Sequence, residues 1–124
     1  MMTQILLISF GAVLGALSRW QLGIWLNPLI SQFAFGTLLA NVLGCFLIGI
    51  ALGLNLQESS KLLLIMGFLG SFTTFSAFSA EISEKLLQEK WLNAMGIFLL
   101  HNIVGIIATV VGVLLIKIFT SGKI

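Results

Sequence analysis

The chain has 124 residues, of which 59% are hydrophobic and only 8% are charged, and its mean hydropathy is +1.16. A soluble domain of this size does not carry so much apolar surface, so the composition excludes that class and indicates an integral membrane protein. The formal net charge of +2 is too small to indicate a nucleic-acid partner. The single cysteine, Cys45, forms no intrachain disulfide and is expected to be a small packing residue.

Charge-free stretches predict four membrane-spanning helices. A spanning helix needs about 20 apolar residues, and residues 20–57, 62–80 and 91–116 carry no charge, with Asn27-Pro28 ending the first helix. The first helix lacks a basic segment and a small-residue cleavage site, so it is predicted to belong to the mature protein rather than to a signal peptide. We predict one all-α membrane domain over 1–124, with helices near 3–26, 33–54, 62–86 and 92–119.

The basic residues are balanced between the two sides of the membrane. With four crossings, one side carries Lys61, Lys117 and Lys123, and the other carries Arg19, Lys85 and Lys90. Orientation follows an excess of Lys and Arg in short loops, and here there is none. The balance predicts insertion in both orientations and hence an antiparallel homodimer with self-complementary contacts. The alternative is that six charges are too few to set the orientation.

Helices 1 and 2 each carry two glycines four positions apart, Gly11 with Gly15 and Gly49 with Gly53. Such pairs let helix backbones approach closely in lipid, so they predict packing seams. These seams carry no chemistry of their own.

Two polar residues within helices 1 and 2 each have two interpretations. A cation inside a spanning helix is costly unless it reaches the interface, pairs or faces water. Arg19 therefore either extends to the interface beside Trp20 and Trp25 or places a positive charge at the mouth of a polar path. Asn41 either makes an interhelical hydrogen bond, which we favour because it is the commoner arrangement, or donates its amide hydrogens to an anion.

Helix 3 contains the least lipid-like segment, GFLGSFTTFSAFS over residues 67–79. Irregular backbone at membrane depth survives only inside protein or along a water-filled path. Gly70 and the pair Thr73-Thr74 are the predicted position of a helix break. Carbonyls freed at a break are hard oxygen ligands for a cation such as Na⁺ or Mg²⁺. The segment therefore predicts an ion site near the middle of the membrane.

The aromatic and acidic residues of helix 3 are open to two interpretations. Four phenylalanines follow helical spacing: Phe68, Phe72, Phe75 and Phe78. This spacing is typical of a packing stripe, but phenyl rings also have a positive edge that can contact a small anion. Further along, Glu81 and Lys85 are spaced for an i,i+4 pair, which favours a solvated helix end. The alternative is that Glu81, the most deeply placed of these acids, faces the path.

Helix 4 carries His101, Asn102 and Thr109. A histidine in a membrane helix can relay protons, but helices 1, 2 and 4 offer it no acidic partner. We therefore predict a hydrogen-bonded packing role for His101. Thr109 lies two turns beyond it and is a candidate to line a path facing helix 3.

Three motifs in chain order resemble those of the Fluc (CrcB) family of fluoride channels. Helix 1 shows G-x-x-x-G-A-x-x-R-W over 11–20, and helix 2 shows G-T-L-x-x-N-x-x-G over 36–44. Helix 3 shows an approximate match to the family's T-T-F-S-T-F run over 73–78, with Ala77 in place of a hydroxyl residue. Their order within a four-helix chain of this length makes the resemblance specific.

The resemblance implies an antiparallel homodimer with two separate fluoride pores and a structural Na⁺ on its axis. Backbone carbonyls of Gly70 and Thr73 from both subunits would bind the Na⁺. The implied ion pathway consists of Arg19, Thr37, Asn41, Phe75, Ser76, Phe78 and Thr109. In it, Arg19 would draw anions towards a vestibule, Asn41 would donate a hydrogen bond, and the phenyl edges would face fluoride.

These features predict a channel of the bacterial plasma membrane that exports toxic cytoplasmic fluoride by passive electrodiffusion. Fluoride is strongly hydrated, so a pore must replace its water with donors and still release the ion. One alternative is a small proton-coupled drug or cation exporter of dual topology, which would need a carboxylate in helix 1, where there is none. A non-transporting scaffold would not need the polar residues of helix 3. An enzyme is not expected, because no metal-ligand cluster, activated nucleophile or cofactor motif is present.

Overall fold

A computed structural model of the chain describes residues 1–121, and Lys123, one of the charges counted above, lies outside them. The helices are α1 Met2–Leu26, α2 Phe35–Gly53, α3 over 58–72, α4 Phe75–Leu87 and α5 over 91–121. A 3₁₀ turn, Asn27–Leu29, follows α1. Together α3 and α4 form the third span, Glu58–Leu87, which begins before the predicted residue 62. Among residues 1–121, four segments are long and apolar enough to cross a membrane, so the all-α membrane fold with a broken third helix is confirmed.

The first packing seam joins α1 to α3 through small residues. Gly11 and Gly15 are buried, and a Cβ atom on them would collide with the carbonyl oxygens of Leu63 and Phe68 respectively. Successive glycines of α1 meet successive turns of α3, so these two helices run parallel. The packing predicted from the glycine pair of helix 1 is confirmed.

The second seam joins α2 to α5 in the same manner. A Cβ on Gly49 would meet the carbonyl of Thr109, and a Cβ on Gly53 would meet the side chain of Ile116. From the other side, Gly112 of α5 fits against the Phe46 carbonyl. The glycine pair of helix 2 is thus also a packing seam, and α2 and α5 run parallel.

Two stretches of the helices wind more widely than an α-helix. Residues Lys61–Leu69 of α3 and Leu100–Val104 of α5 are π-helical. Such turns are rare and frequently occur at functional sites. The first lies just before the break in the third span, and the second contains His101.

Candidate ion site at the helix break

The third span is interrupted by two extended residues. Thr73 has φ −87° and ψ 153°, and Thr74 has φ −148° and ψ 117°, so neither continues the helix. The break predicted at these two residues is confirmed. The Thr74 hydroxyl accepts a hydrogen bond from the N–H of Ala77 at 3.1 Å, which is the usual bond of a threonine that begins a helix. The Thr73 hydroxyl donates to the carbonyl of Leu69 at 2.9 Å, within α3.

Asn41 of α2 forms hydrogen bonds with the backbone at the break. Its Oδ1 accepts from the N–H of Thr74 at 2.7 Å, and its Nδ2 donates to the Thr74 carbonyl at 3.0 Å. In a continuous helix the Thr74 N–H would bond to the carbonyl of Gly70, four residues earlier. Because Asn41 takes that N–H, the Gly70 carbonyl loses its helical partner. The interhelical bond favoured for Asn41 is confirmed, with the backbone as its partner.

A groove with a volume of about 430 Å³ opens at the break. Five residues predicted for the ion sites line it together: Asn41, Gly70, Thr73, Phe75 and Phe78. They come from α2, from both halves of the broken span and from the extended link between them. The fold therefore brings the predicted anion donor, the two phenyl rings and both backbone positions predicted to bind a cation to one place.

The two phenylalanines of the groove have different environments. Phe75 is 77% exposed, whereas Phe78 is only 7% exposed. Their ring centroids lie 5.5 Å apart with an interplanar angle of 61°, an edge-to-face arrangement that suits the ring quadrupoles. The Phe78 ring also packs on the imidazole of His101, with centroids 4.6 Å apart. Phe78 is thus a buried ring packed on its neighbours, and Phe75 is an exposed ring of the groove.

His101 of α5 also lines the groove and contacts the same asparagine. Its Nδ1 lies 3.1 Å from Nδ2 of Asn41, and since that amide nitrogen only donates, Nδ1 accepts. The hydrogen-bonded packing role predicted for His101 is confirmed. The two amide hydrogens of Asn41 are then both engaged, one by the Thr74 carbonyl and one by the imidazole. One of these bonds must open before Asn41 donates to an anion.

Other predicted pathway residues are not among those that line the groove: Arg19, Thr37, Ser76 and Thr109. Arg19 donates from Nε to the carbonyl of Ser71 at 3.1 Å. Thr109 donates from its hydroxyl to the carbonyl of Cys45 at 3.0 Å, on the seam between α2 and α5.

The remaining two of these residues lie at the ends of helices. The backbone N–H of Thr37, in the first turn of α2, lies 3.3 Å from Oδ1 of Asn27. Ser76 is exposed, and its hydroxyl lies 3.3 Å from the hydroxyl of Thr74, next to the mouth of the groove.

Glu81 has a role that the sequence interpretation missed. Its Oε2 accepts from the N–H of Ala34, just before α2, while Asn27 accepts from the N–H of Gly36 at 2.7 Å. The other carboxylate oxygen of Glu81, Oε1, is buried and has no hydrogen-bond partner among residues 1–121. Glu81 therefore turns into the protein, and its interpretation as part of a solvated end paired with Lys85 is wrong. Its depth within the third span was the available signal.

Comparison with known proteins adds to this geometry. Residues 6–113 match the family described as CrcB-like protein, Camphor Resistance (CrcB). The chain is 54% identical over 122 residues to a protein of Haemophilus ducreyi, covering 98% of each chain. It is 50% identical over 115 residues to one of Pasteurella multocida, covering 89% of this chain and 90% of that protein. It is 47% identical over 122 residues to one of Haemophilus influenzae strain Rd, covering 94% and 76%. All three relatives bear the name Fluoride-specific ion channel FluC.

Proposed function

Because the chain belongs to the CrcB family, we propose that it is a fluoride-selective channel that releases toxic cytoplasmic fluoride by passive electrodiffusion. With four spans among residues 1–121 and bacterial ion-channel relatives, it is a multi-pass protein of the bacterial membrane. The observation that carries the proposal is the groove at the break of the third span, where Phe75 and Phe78 meet Asn41. The relatives are named as fluoride-specific ion channels, which supports fluoride as the ion.

The chemistry of the groove suits a small anion that must be both bound and released. Within the described part of the chain, the groove lining contains no Lys or Arg, so no basic side chain traps the ion. The exposed edge of Phe75 carries partial positive charge, and the Asn41 amide donates once one of its two bonds opens. Neutral donors of this kind replace the water of fluoride and still let the ion leave.

We assign the structural Na⁺ to the backbone carbonyls of Gly70 and Thr73. The Gly70 carbonyl has lost its helical partner to Asn41, and Gly70 itself is exposed. Thr73 is extended, so its carbonyl leaves the helical pattern. Carbonyl oxygens suit a hard cation, but such a cation prefers several oxygen ligands. A second copy of the chain would supply the same two carbonyls.

The need of a hard cation for several oxygen ligands supports an antiparallel homodimer with two pores, embedded in membrane lipid. The balanced charges of the chain allow both orientations, and the groove is open at the exposed Gly70, where a partner would bring its own two carbonyls. Adding two lysines to the C-terminal tail should bias insertion, so activity should then require a partner biased the opposite way. High activity without that partner would contradict the antiparallel dimer.

The function is tested by reconstituting the purified protein in liposomes loaded with potassium fluoride. Valinomycin lets potassium leave, so fluoride efflux recorded with a fluoride electrode reports an electrogenic path. We expect fast efflux that depends on valinomycin, while chloride-loaded vesicles keep their chloride. Absence of fluoride efflux from folded protein, or equal loss of chloride, would contradict a fluoride-selective channel.

A further inference from the structure

Arg19 connects α1 to the third span at the level of the break. Its Nε donates to the carbonyl of Ser71 at 3.1 Å, and its side chain is half-buried. A cation inside a spanning helix needs a partner or water, and here the partner is a backbone oxygen. The contact joins residues far apart in sequence, so it depends on the packing of α1 along α3.

The break is the reason that the Ser71 carbonyl is available. In a continuous helix it would accept the N–H of Phe75, four residues later, but the extended residues Thr73 and Thr74 separate the two. The last carbonyls of a helix lack internal partners and lie at the negative end of its dipole. A guanidinium that donates to one of them supplies both the missing hydrogen bond and the favourable charge.

Two side chains from two helices thus complete the broken backbone. Asn41 of α2 takes the Thr74 N–H, and Arg19 of α1 takes the Ser71 carbonyl. Of the backbone oxygens around the break, those of Gly70 and Thr73 are the ones assigned above to the cation. The Ser71 carbonyl lies between them in sequence and accepts the hydrogen bond from Arg19.

We infer that Arg19 is a positioning residue for the cation-binding carbonyls, because it caps the end of α3 at Ser71 and keeps that carbonyl out of the cation site. The inference rests on the Na⁺ assignment within the proposed function. It gives Arg19 a different role from the attraction of anions towards a vestibule. The guanidinium donates to a backbone carbonyl at the break, so its effect is on the backbone there.

A charge effect and a positioning effect of Arg19 have opposite signs for cation binding. The positive guanidinium repels a cation held nearby, so loss of its charge alone would strengthen Na⁺ binding. Loss of the cap would instead release the end of α3 and weaken Na⁺ binding. A charge-assisted hydrogen bond corresponds to roughly tenfold or more in an equilibrium constant, so the two effects are separable.

The test measures the melting temperature of the detergent-purified full chain against NaCl concentration, with choline chloride keeping the ionic strength constant. Wild type is compared with Arg19→Gln and Arg19→Lys. The matched control is Lys61→Gln, which removes an exposed charge from the other end of α3, where Lys61 pairs with Glu58 at 3.5 Å. We expect Arg19→Gln to need roughly tenfold more Na⁺ for half of the stabilisation, Arg19→Lys to recover part of the loss, and Lys61→Gln to behave as wild type.

An unchanged or lower Na⁺ requirement in Arg19→Gln would overturn the inference. If Arg19→Gln does not fold, Arg19→Lys decides, since it keeps the charge but loses the planar donor: a raised Na⁺ requirement supports the inference and an unchanged one overturns it. A wild-type melting temperature that does not change with Na⁺ concentration also overturns the inference, whether or not the protein conducts fluoride. Conversely, a Na⁺ response without fluoride efflux would remove the proposed conduction and leave the role of Arg19 standing.

Discussion

The two halves of the third span have different surroundings. In α3, Phe72 is 5% exposed and Leu69 is 7% exposed, because this half packs along α1. In α4, the first residue after the break, Phe75, is 77% exposed. This difference shows that the break has two effects. It frees backbone groups, and it ends the packing along α1 so that the next phenyl ring, Phe75, lines the groove.

The phenylalanine stripe predicted from the sequence divides at the same point. Phe68 and Phe72 stack with centroids 5.3 Å apart and an interplanar angle of 19°, as expected of a packing stripe. Phe75 and Phe78 form a separate edge-to-face pair that lines the groove. The packing interpretation is thus right for the first half, and the anion-contact interpretation stays a prediction for the second.

The largest effect is expected from a change that forces the packed half away from α1. A Cβ at Gly15 would collide with the Phe68 carbonyl, so Gly15→Ala should prevent correct packing and abolish the folded protein. The control is Gly96→Ala, where an added Cβ meets nothing within 4 Å. Size-exclusion profiles and thermal unfolding check both variants. A Gly15→Ala variant as stable as the control would show that the seam is not close-packed.

A second pair of variants compares the phenylalanines on either side of the break. Phe72→Ala should lower the free energy of unfolding by about 3–5 kcal/mol, because a buried ring leaves a cavity. Phe75→Ala should change it by about 0.5 kcal/mol or less, as at other exposed positions. Thermal unfolding in one detergent measures both. Similar losses in the two variants would mean that Phe75 is covered as well, for example by a second copy.

A third variant weakens the link that separates the halves. In Asn41→Asp, Oδ1 still accepts from Thr74, but the carboxylate cannot donate to the Thr74 carbonyl or to His101. We expect a loss of roughly 1–3 kcal/mol of stability and blocked fluoride efflux, because a negative charge enters the groove. The control Asn93→Asp makes the same change away from this groove. Normal efflux in Asn41→Asp would show that Asn41 is structural only.

The smallest effect is expected where α4 is tied to the start of α2. Glu81→Gln keeps an acceptor for the Ala34 N–H, so stability should remain within about 0.5 kcal/mol of wild type. Glu81→Ala removes the acceptor and should cost about 1 kcal/mol, as the loss of a helix cap does. Exposed Glu84→Ala is the control in the same thermal-unfolding series. Equal stability of the two Glu81 variants would show that the hydrogen bond from the Ala34 N–H to Glu81 does not stabilise the protein.

The sequence predicted the features that depend on local signals. Uncharged runs located the four spans, and the Thr73-Thr74 pair located the break. Both signals come from residues that are neighbours in sequence. Asn41 was recognisable as a polar group that needed a partner inside the membrane. The glycine pairs predicted seams for the same local reason.

The partners of these groups were not predictable, because the fold sets them. Arg19 and Ser71 are 52 residues apart, and Glu81 and Ala34 are 47 residues apart. The depth of Glu81 in the span was a signal against a solvated pair, but nothing in the sequence pattern identifies Ala34 as its partner. The π-helical turns beside the groove were also not predicted from the sequence.

The central claim, that the groove at the break conducts fluoride along the exposed ring of Phe75, is tested most directly by two matched variants in the liposome assay. Phe75→Ile and Phe10→Ile both replace an exposed phenyl ring, 77% and 62% exposed respectively, and only the first lies in the groove. With both proteins folded, fluoride efflux should fall about tenfold or more in Phe75→Ile, as a barrier higher by about 1.4 kcal/mol gives, and stay at the wild-type rate in Phe10→Ile. Wild-type efflux in Phe75→Ile would contradict the claim.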